Sequence, residues 1–279
     1  MDKSEIYKTI ASQVAQGELA FPTGAQVALS VRQTLDDPDC TIDTAARMIQ
    51  AEPLLSARII ALANSVAYNR SGQETADVRT AVARLGFSTV RSLAMALVTR
   101  QMAGKPSDPK VLQLVNKLWE HTAHVASLAH VIARHVTRQD PSTAMFAGII
   151  HEIGGFYMLS RVKEFPELLA GDFTDWLETG EVDVGRAVLN KLEVPATVSN
   201  IIEAYWEGFL AMPPVTLADT LLLAEELAPV SSPLHLLERI EPTVNISASI
   251  EMVIGEETLT RILHESAEEV GSLTNALKF

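Results

Sequence analysis

Apolar residues recur at helical spacing along almost the whole chain, and alternating runs bounded by hairpin turns are hard to find. A chain patterned this way buries its apolar surface by packing helix on helix, so an all-α fold is expected. Its punctuation places the helices. Residues 3–16 read as an amphipathic helix stopped by Gly17, and Pro22 suits the opening of a second, to about residue 35, because a proline's missing N–H costs nothing in a first turn. Asp36-Asp37-Pro38 makes a turn, Thr41 with Asp43 and Thr44 supplies cap oxygens for a short helix through Ile49, and Pro53 opens the next. That helix carries Leu54, Leu55, Ala57, Ile59, Ile60, Leu62 and Ala63, too apolar all round for a surface position, and it stops at Asn64-Ser65. Helices are predicted at 78–85, ending at Gly86, and at 88–102. Gly104, Pro106 and Pro109 then form a loop that is the expected boundary between an N-terminal helical lobe, 1–105, and a second lobe, 106–279. In the second lobe helices are expected at 112–135, at 144–150 behind the cap Asp140-Pro141-Ser142, and at 182–192, 196–210, 217–227 and 256–277, with Gly154-Gly155 as a break.

Charge narrows the function. A net charge of -13 and a pI near 5.0 repel polyphosphates, so no direct nucleic-acid partner is expected. One basic stretch runs against this trend, through Arg79, Arg84, Arg91, Arg100, Lys105 and Lys110. It is either a solvated helix face with scattered cations or a dock for an acidic partner. The single cysteine, Cys40, excludes an intramolecular disulfide and fits a reducing compartment. The N-terminal residues lack the pattern of a secretory signal, and no apolar run is expected to approach the ~20 residues of a membrane span, so a cytoplasmic protein without membrane contact is expected.

The residues able to carry chemistry cluster around His151-Glu152, directly after the apolar run 145–150. An adjacent imidazole and carboxylate at the end of a buried helix can reach one point in space, as metal ligands must. His121 and His124 share a helix face upstream, and Asp219 sits in the apolar run 215–223, where an acid is costly to bury unless paired or metal-bound. Each has a plainer role open to it: a helix-end cap for His151, packing for His124, solvation for Glu152 and a helix first turn for Asp219. Tyr68, Trp119, Tyr157, Trp176, Tyr205 and Trp206 can line a pocket between lobes or simply fill the core.

The order His121, His151-Glu152, Asp219 resembles the HD superfamily of metal-dependent phosphohydrolases, with an early His, a His-Asp pair and a distant Asp. The chain is more similar still to the HDOD branch, the HD-related output domains of bacterial signalling proteins. That likeness rests on Phe21-Pro22, Glu52-Pro53-Leu54, the run 59–68 with its Asn64-Ser65-x-x-Tyr68 element, Ala81 to Gly86, His151-Glu152-Ile153-Gly154 and the 191–195 segment, over about 21–207. The resemblance implies an N-terminal helical lobe packed on a degenerate HD-like lobe. Metal-active relatives carry Asp where this chain has Glu152, and active cyclic-dinucleotide phosphodiesterases resemble His-Asp-x-Gly-Lys where this chain has Gly155; Ala204-Tyr205-Trp206-Glu207 stands where relatives often have a His pair. What is implied is a non-enzymatic regulatory module with no cofactor, whose partner is a separate signalling protein or a small effector. The alternative is a residual hydrolase of nucleotides or cyclic dinucleotides, holding manganese, iron or zinc through His121, His151, Glu152 and Asp219.

Overall fold

The computed structural model describes residues 2–17, 19, 23–211, 213–235, 264 and 267–277, and among these it contains helices and no strand. The first helices are α1 (Lys3–Ala15), α2 (Thr23–Asp36), α3 (Ile42–Gln50), α4 (Pro53–Ala63) and α5 (Val78–Met102). The remainder are α6 (Pro109–Ile132), α7 (Pro141–Ile150), α8 (Ile153–Ser160), α9 (Glu181–Lys191), α10 (Ala196–Glu207), α11 (Leu217–Leu227) and α12 (Ala267–Leu277). Pro22 and the 256–263 portion of the last predicted helix lie outside the described residues.

Caps set these boundaries. Asp2 and Glu5 cap α1 reciprocally, Thr41 accepts from the Thr44 N–H to start α3, and Glu52 accepts from the Leu54 N–H beside Pro53. The two helices expected around Gly86 follow each other directly within α5 and part at that residue, whose φ of 75° and ψ of 161° belong to a region open essentially to glycine alone. α5 is the axis of the N-terminal lobe, with α2, α3 and α4 packed on it, and it also packs against α7 and α8, so the lobes share a core. By length and composition α5 could cross a membrane, contrary to the expectation that no apolar run comes close; 67% of its apolar window is buried inside the protein, so core packing accounts for its hydropathy. α1 departs from the expected division at residue 105, since it packs on α9 and on the π-helical turn Trp176–Gly180, where Tyr7 meets Trp176 edge-on at 5.4 Å.

α4 buries Leu55, Ile59, Leu62 and Ala63 on one face and leaves Leu54 exposed, so it is less enclosed than its composition suggests. Leu62 is fully buried, and Leu62→Ala should cost about 2–5 kcal/mol. An unchanged thermal melt would place that helix outside the core. Asn64 ends α4 and clamps the following loop at two points, accepting from the Thr75 N–H (2.9 Å) and donating to the Thr75 carbonyl (2.8 Å). Arg84 reinforces it by donating to the carbonyls of Ala63 and Gln73.

In the second lobe α6 and α7 approach so closely at Gly148 that a Cβ there would lie 2.6 Å from the Ala126 Cα. Gly154 and Gly155, expected to break the chain, instead lie inside the buried helix α8. Gly154 lets α8 approach the backbone of Gly185 in α9, with 2.8 Å from a hypothetical Cβ to the Gly185 Cα. α12 spans both lobes, packing on α6 and α4. Its Ser272 accepts from the Val66 N–H, its Thr274 bonds Ser127, and its Leu277 carbonyl accepts from the Trp119 indole.

Candidate functional site

α6, α7 and α11 converge on one buried point. His121, in mid-α6, is fully buried, and His151, the residue that ends α7, is 2% exposed. Each ring spends its Nδ1 proton on a backbone carbonyl, His121 on Val230 at 2.8 Å and His151 on Gly148 at 2.7 Å. Their Nε2 atoms therefore face each other, 3.2 Å apart. Glu225 of α11 completes a triangle, its Oε2 lying 3.1 Å from His121 Nε2 and 3.5 Å from His151 Nε2. Two neutral imidazoles so oriented would point lone pairs at each other and at a carboxylate. A positive charge between them, a proton or a cation, relieves this.

The electrostatics agree. Burial alone would depress the His121 imidazole, but hydrogen bonding and charge from Glu225, with Glu152 beyond, raise it. Burial alone would raise the Glu225 carboxyl, yet His121 and His151 hold it well below the usual carboxylate range. Tyr205 closes one side, its ring edge-on to His151 at 5.6 Å, and burial with the carboxylates of Glu225, Glu181 and Glu152 keeps its phenol protonated far above the ordinary range.

A second acidic group adjoins the first. Glu152, 1% exposed, accepts from the Ser232 hydroxyl at 2.5 Å. His235 Nε2 sits 3.6 Å from both Glu152 Oε1 and Glu181 Oε2. Burial would lower the His235 imidazole, but Glu152, Glu181 and Glu225 outweigh it and push it up to about 10. The segment 228–235 thus lies across the site as a plug, giving the Val230 carbonyl to His121, Ser232 and His235 to Glu152, and Leu234 to Gly155. A Cβ at Gly155 would meet the Leu234 Cδ1 at 2.5 Å.

Of the sequence candidates, His121, His151 and Glu152 come together with potential ligand atoms within 4.8 Å of one another. His124, half-buried, does not join them. Asp219, expected as the fourth ligand, is corrected by the structure. Its carboxylate accepts from the N–H groups of Ala211, Val215 and Thr216 and from the Thr216 hydroxyl, the reciprocal cap of α11. Those bonds hold its pKa low against the opposing effect of burial. Glu225, six positions on, takes the place assigned to it. Glu225, Glu181, Ser232 and His235 escaped the sequence reading; the one available signal was an acid embedded in the apolar run of α11.

The residues fit a divalent cation. Ligands about 2.1 Å from a tetrahedral metal stand about 3.4 Å from each other, close to the 3.1–3.5 Å spacings among His121, His151 and Glu225. Glu152 Oε2 is a buried acceptor with no hydrogen bond among the described residues. The motif elements Pro53, Asn64, Ser65 and Gly86 lie outside this cluster and act as caps, clamp and kink. Tyr68 lies tilted against His130, ring centroids 6.0 Å apart, and lines a separate cavity.

Residues 21–207 match the HDOD domain family. No curated protein matches the chain. Among solved structures it is similar to a provisionally named metal-dependent phosphohydrolase from Shewanella amazonensis SB2B, at 20% identity over 98% of each chain and a TM-score of 0.73. It is also similar to an HDOD domain protein of unknown function from Geobacter sulfurreducens, at 20% identity, 98% of this chain and 97% of that one, with a TM-score of 0.62. A provisionally named signal transduction protein from Marinobacter aquaeolei VT8 aligns at 17% identity over 100% of this chain and 67% of that one, with a TM-score of 0.60. These likenesses establish the helical fold, and the match across the Asn64-Ser65-x-x-Tyr68 and His151-Glu152-Ile153-Gly154 elements makes the chain a member of the HDOD domain family.

Proposed function

We propose that this chain is a cytoplasmic signalling module that works without turnover, by binding a separate protein or a small effector, and that its HD-like pocket is a buried structural centre. Family membership fits a signalling role, as does the name given to the Marinobacter relative. The observation that carries the non-catalytic reading is the plug. Ser232, Leu234 and His235 occupy the space around Glu152 and Gly155, and His121, His151 and Glu152 are at most 2% exposed. Hydrolysis needs a phosphodiester and an attacking water beside the liganding groups, and His121, His151 and Glu152 are all but closed to solvent while Glu225 is 15% exposed. Position 155, where active relatives place lysine, holds a glycine, and the tip of Leu234 lies in the space that a Cβ there would enter.

A second reading, a residual phosphohydrolase, is favoured by the spacing of the His121, His151 and Glu225 ligand atoms. Its ligands would be those three with Glu152, replacing the set that included Asp219, and a bound manganese, iron or zinc ion would supply Lewis acidity and an acidified water. One experiment separates the two. The whole chain, loaded with manganese, iron or zinc, is incubated with a cyclic dinucleotide and with bis(p-nitrophenyl) phosphate. No turnover above the metal-only blank is expected. Turnover that disappears in a His151→Ala variant would overturn the proposal.

A further inference from the structure

The basic stretch divides sharply once folded. Arg79 pairs with Asp43 at 2.6 Å, Arg84 donates to backbone carbonyls, Arg91 pairs with Asp36 at 2.9 Å, and Arg100 donates to Asn116 at 2.8 Å. Its arginines are therefore spent within the fold. Lys105 and Lys110 have no ion pair among the described residues, and neither has Lys163, which the fold brings beside them from the far side of α8.

These three lysines line one cavity of about 620 Å³. It lies between the loop joining the lobes and the end of α8, with the short 3-10 turn Pro166–Leu169 as its far wall. The walls are apolar, formed by Val111, Leu159, Val162 and Leu169. Asp108 is the one acid lining it, and its carboxylate is engaged with the Lys110 N–H at the start of α6. Two other cavities differ. That beside Arg32 and Arg91 is about 190 Å³ and both arginines are turned onto Asp36 and carbonyls, while in the one beside Tyr68 the Arg134 guanidinium is held by Glu269. Small-molecule sites occupy roughly 300–1,000 Å³ and combine apolar walls with a few convergent polar groups. Three unpaired cations over an apolar floor, in a chain of net charge -13, select a ligand that is anionic at one end and apolar at the other.

We propose that this cavity binds a small amphipathic organic anion, its carboxylate, sulfonate or phosphate held by Lys105, Lys110 and Lys163 and its body against Val111, Leu159 and Leu169. Because the loop 103–108 links α5 to α6, an occupant would touch both lobes. The site stands apart from the His121–His151 centre, so the proposal neither needs nor tests the reading of that pocket.

The test uses the full chain and the dye 8-anilinonaphthalene-1-sulfonate, an aromatic body with one negative charge. Saturable, one-to-one binding with a blue-shifted emission is expected well below the melting temperature, displaced by dodecanoate. Lys105→Glu/Lys163→Glu should weaken it by about tenfold or more, as like charges now face the anion. Lys105→Gln/Lys163→Gln should weaken it less. The control Lys8→Glu/Lys117→Glu makes the same change in net charge at exposed sites outside the cavity and should leave binding unchanged. Absence of saturable binding, or equal weakening in the control, would overturn the proposal. Thermal melts of all variants show that each is folded, since every lysine changed is exposed.

Discussion

Gly148→Val is expected to lower the melting temperature by roughly 6–12 °C, the equivalent of about 3 kcal/mol in a chain of this size. The obstacle is backbone. A Cβ at this position would stand 2.6 Å from the Ala126 Cα and 3.0 Å from its nitrogen, and neither can rotate away as a side-chain tip would. α6 and α7 would have to separate, opening a contact lined by the buried residues Ala123, Ala126, Ala144, Ala147 and Ile150. The same movement would pull His121 from His151, because each helix carries one of them. Overpacking of a close-packed core usually costs about 1–3 kcal/mol, and a steric clash with main chain lies at the top of that range. Calorimetry or a circular-dichroism melt decides it, and a curve matching the parent's would mean that the two helices do not meet here.

Glu225→Leu should destabilise the fold by about 3–5 kcal/mol, the loss expected when one partner of a buried charge pair is removed. The imidazoles left behind have no good state. Charged, the pair loses its nearest counter-ion and keeps only Glu152, which Ser232 and His235 already engage; neutral, its lone pairs face each other at 3.2 Å. Replacing all three polar groups, as His121→Leu/His151→Leu/Glu225→Leu, should recover part of the loss, because an apolar core of similar volume avoids the cost of desolvating charge. The triple variant is therefore expected to be more stable than the single one. Urea unfolding of both provides the comparison, and a triple variant less stable than Glu225→Leu would show that the cluster is not held by charge.

What could be read from the sequence and what could not follow from the range of the interactions. Caps are local, so Thr41, Pro53 and Asp140-Pro141 mark helix starts that the structure places within a residue or two. His121, His151 and Glu152 were recognisable because their order and adjacency survive in the chain. α8 was not, since paired glycines read as a break unless one knows that Gly185 and Leu234 will press against them. Asp219 stands out in the sequence and Glu225 does not, although both are acids of one apolar helix, and only the tertiary structure shows that the first is consumed by the N–H groups ahead of α11. Ser232 and His235 reach Glu152 across some eighty residues of sequence, with no motif to announce them.

Leu234 and Gly155 also bear on how such a chain can change. A lysine at 155 and a leucine at 234 compete for the same volume, so the two positions do not change independently. Placing a lysine at 155 would require the Leu234 side chain to move aside; trimming the leucine alone would leave a void beside Gly155. Opening this pocket thus takes coordinated change at two positions some eighty residues apart in the chain.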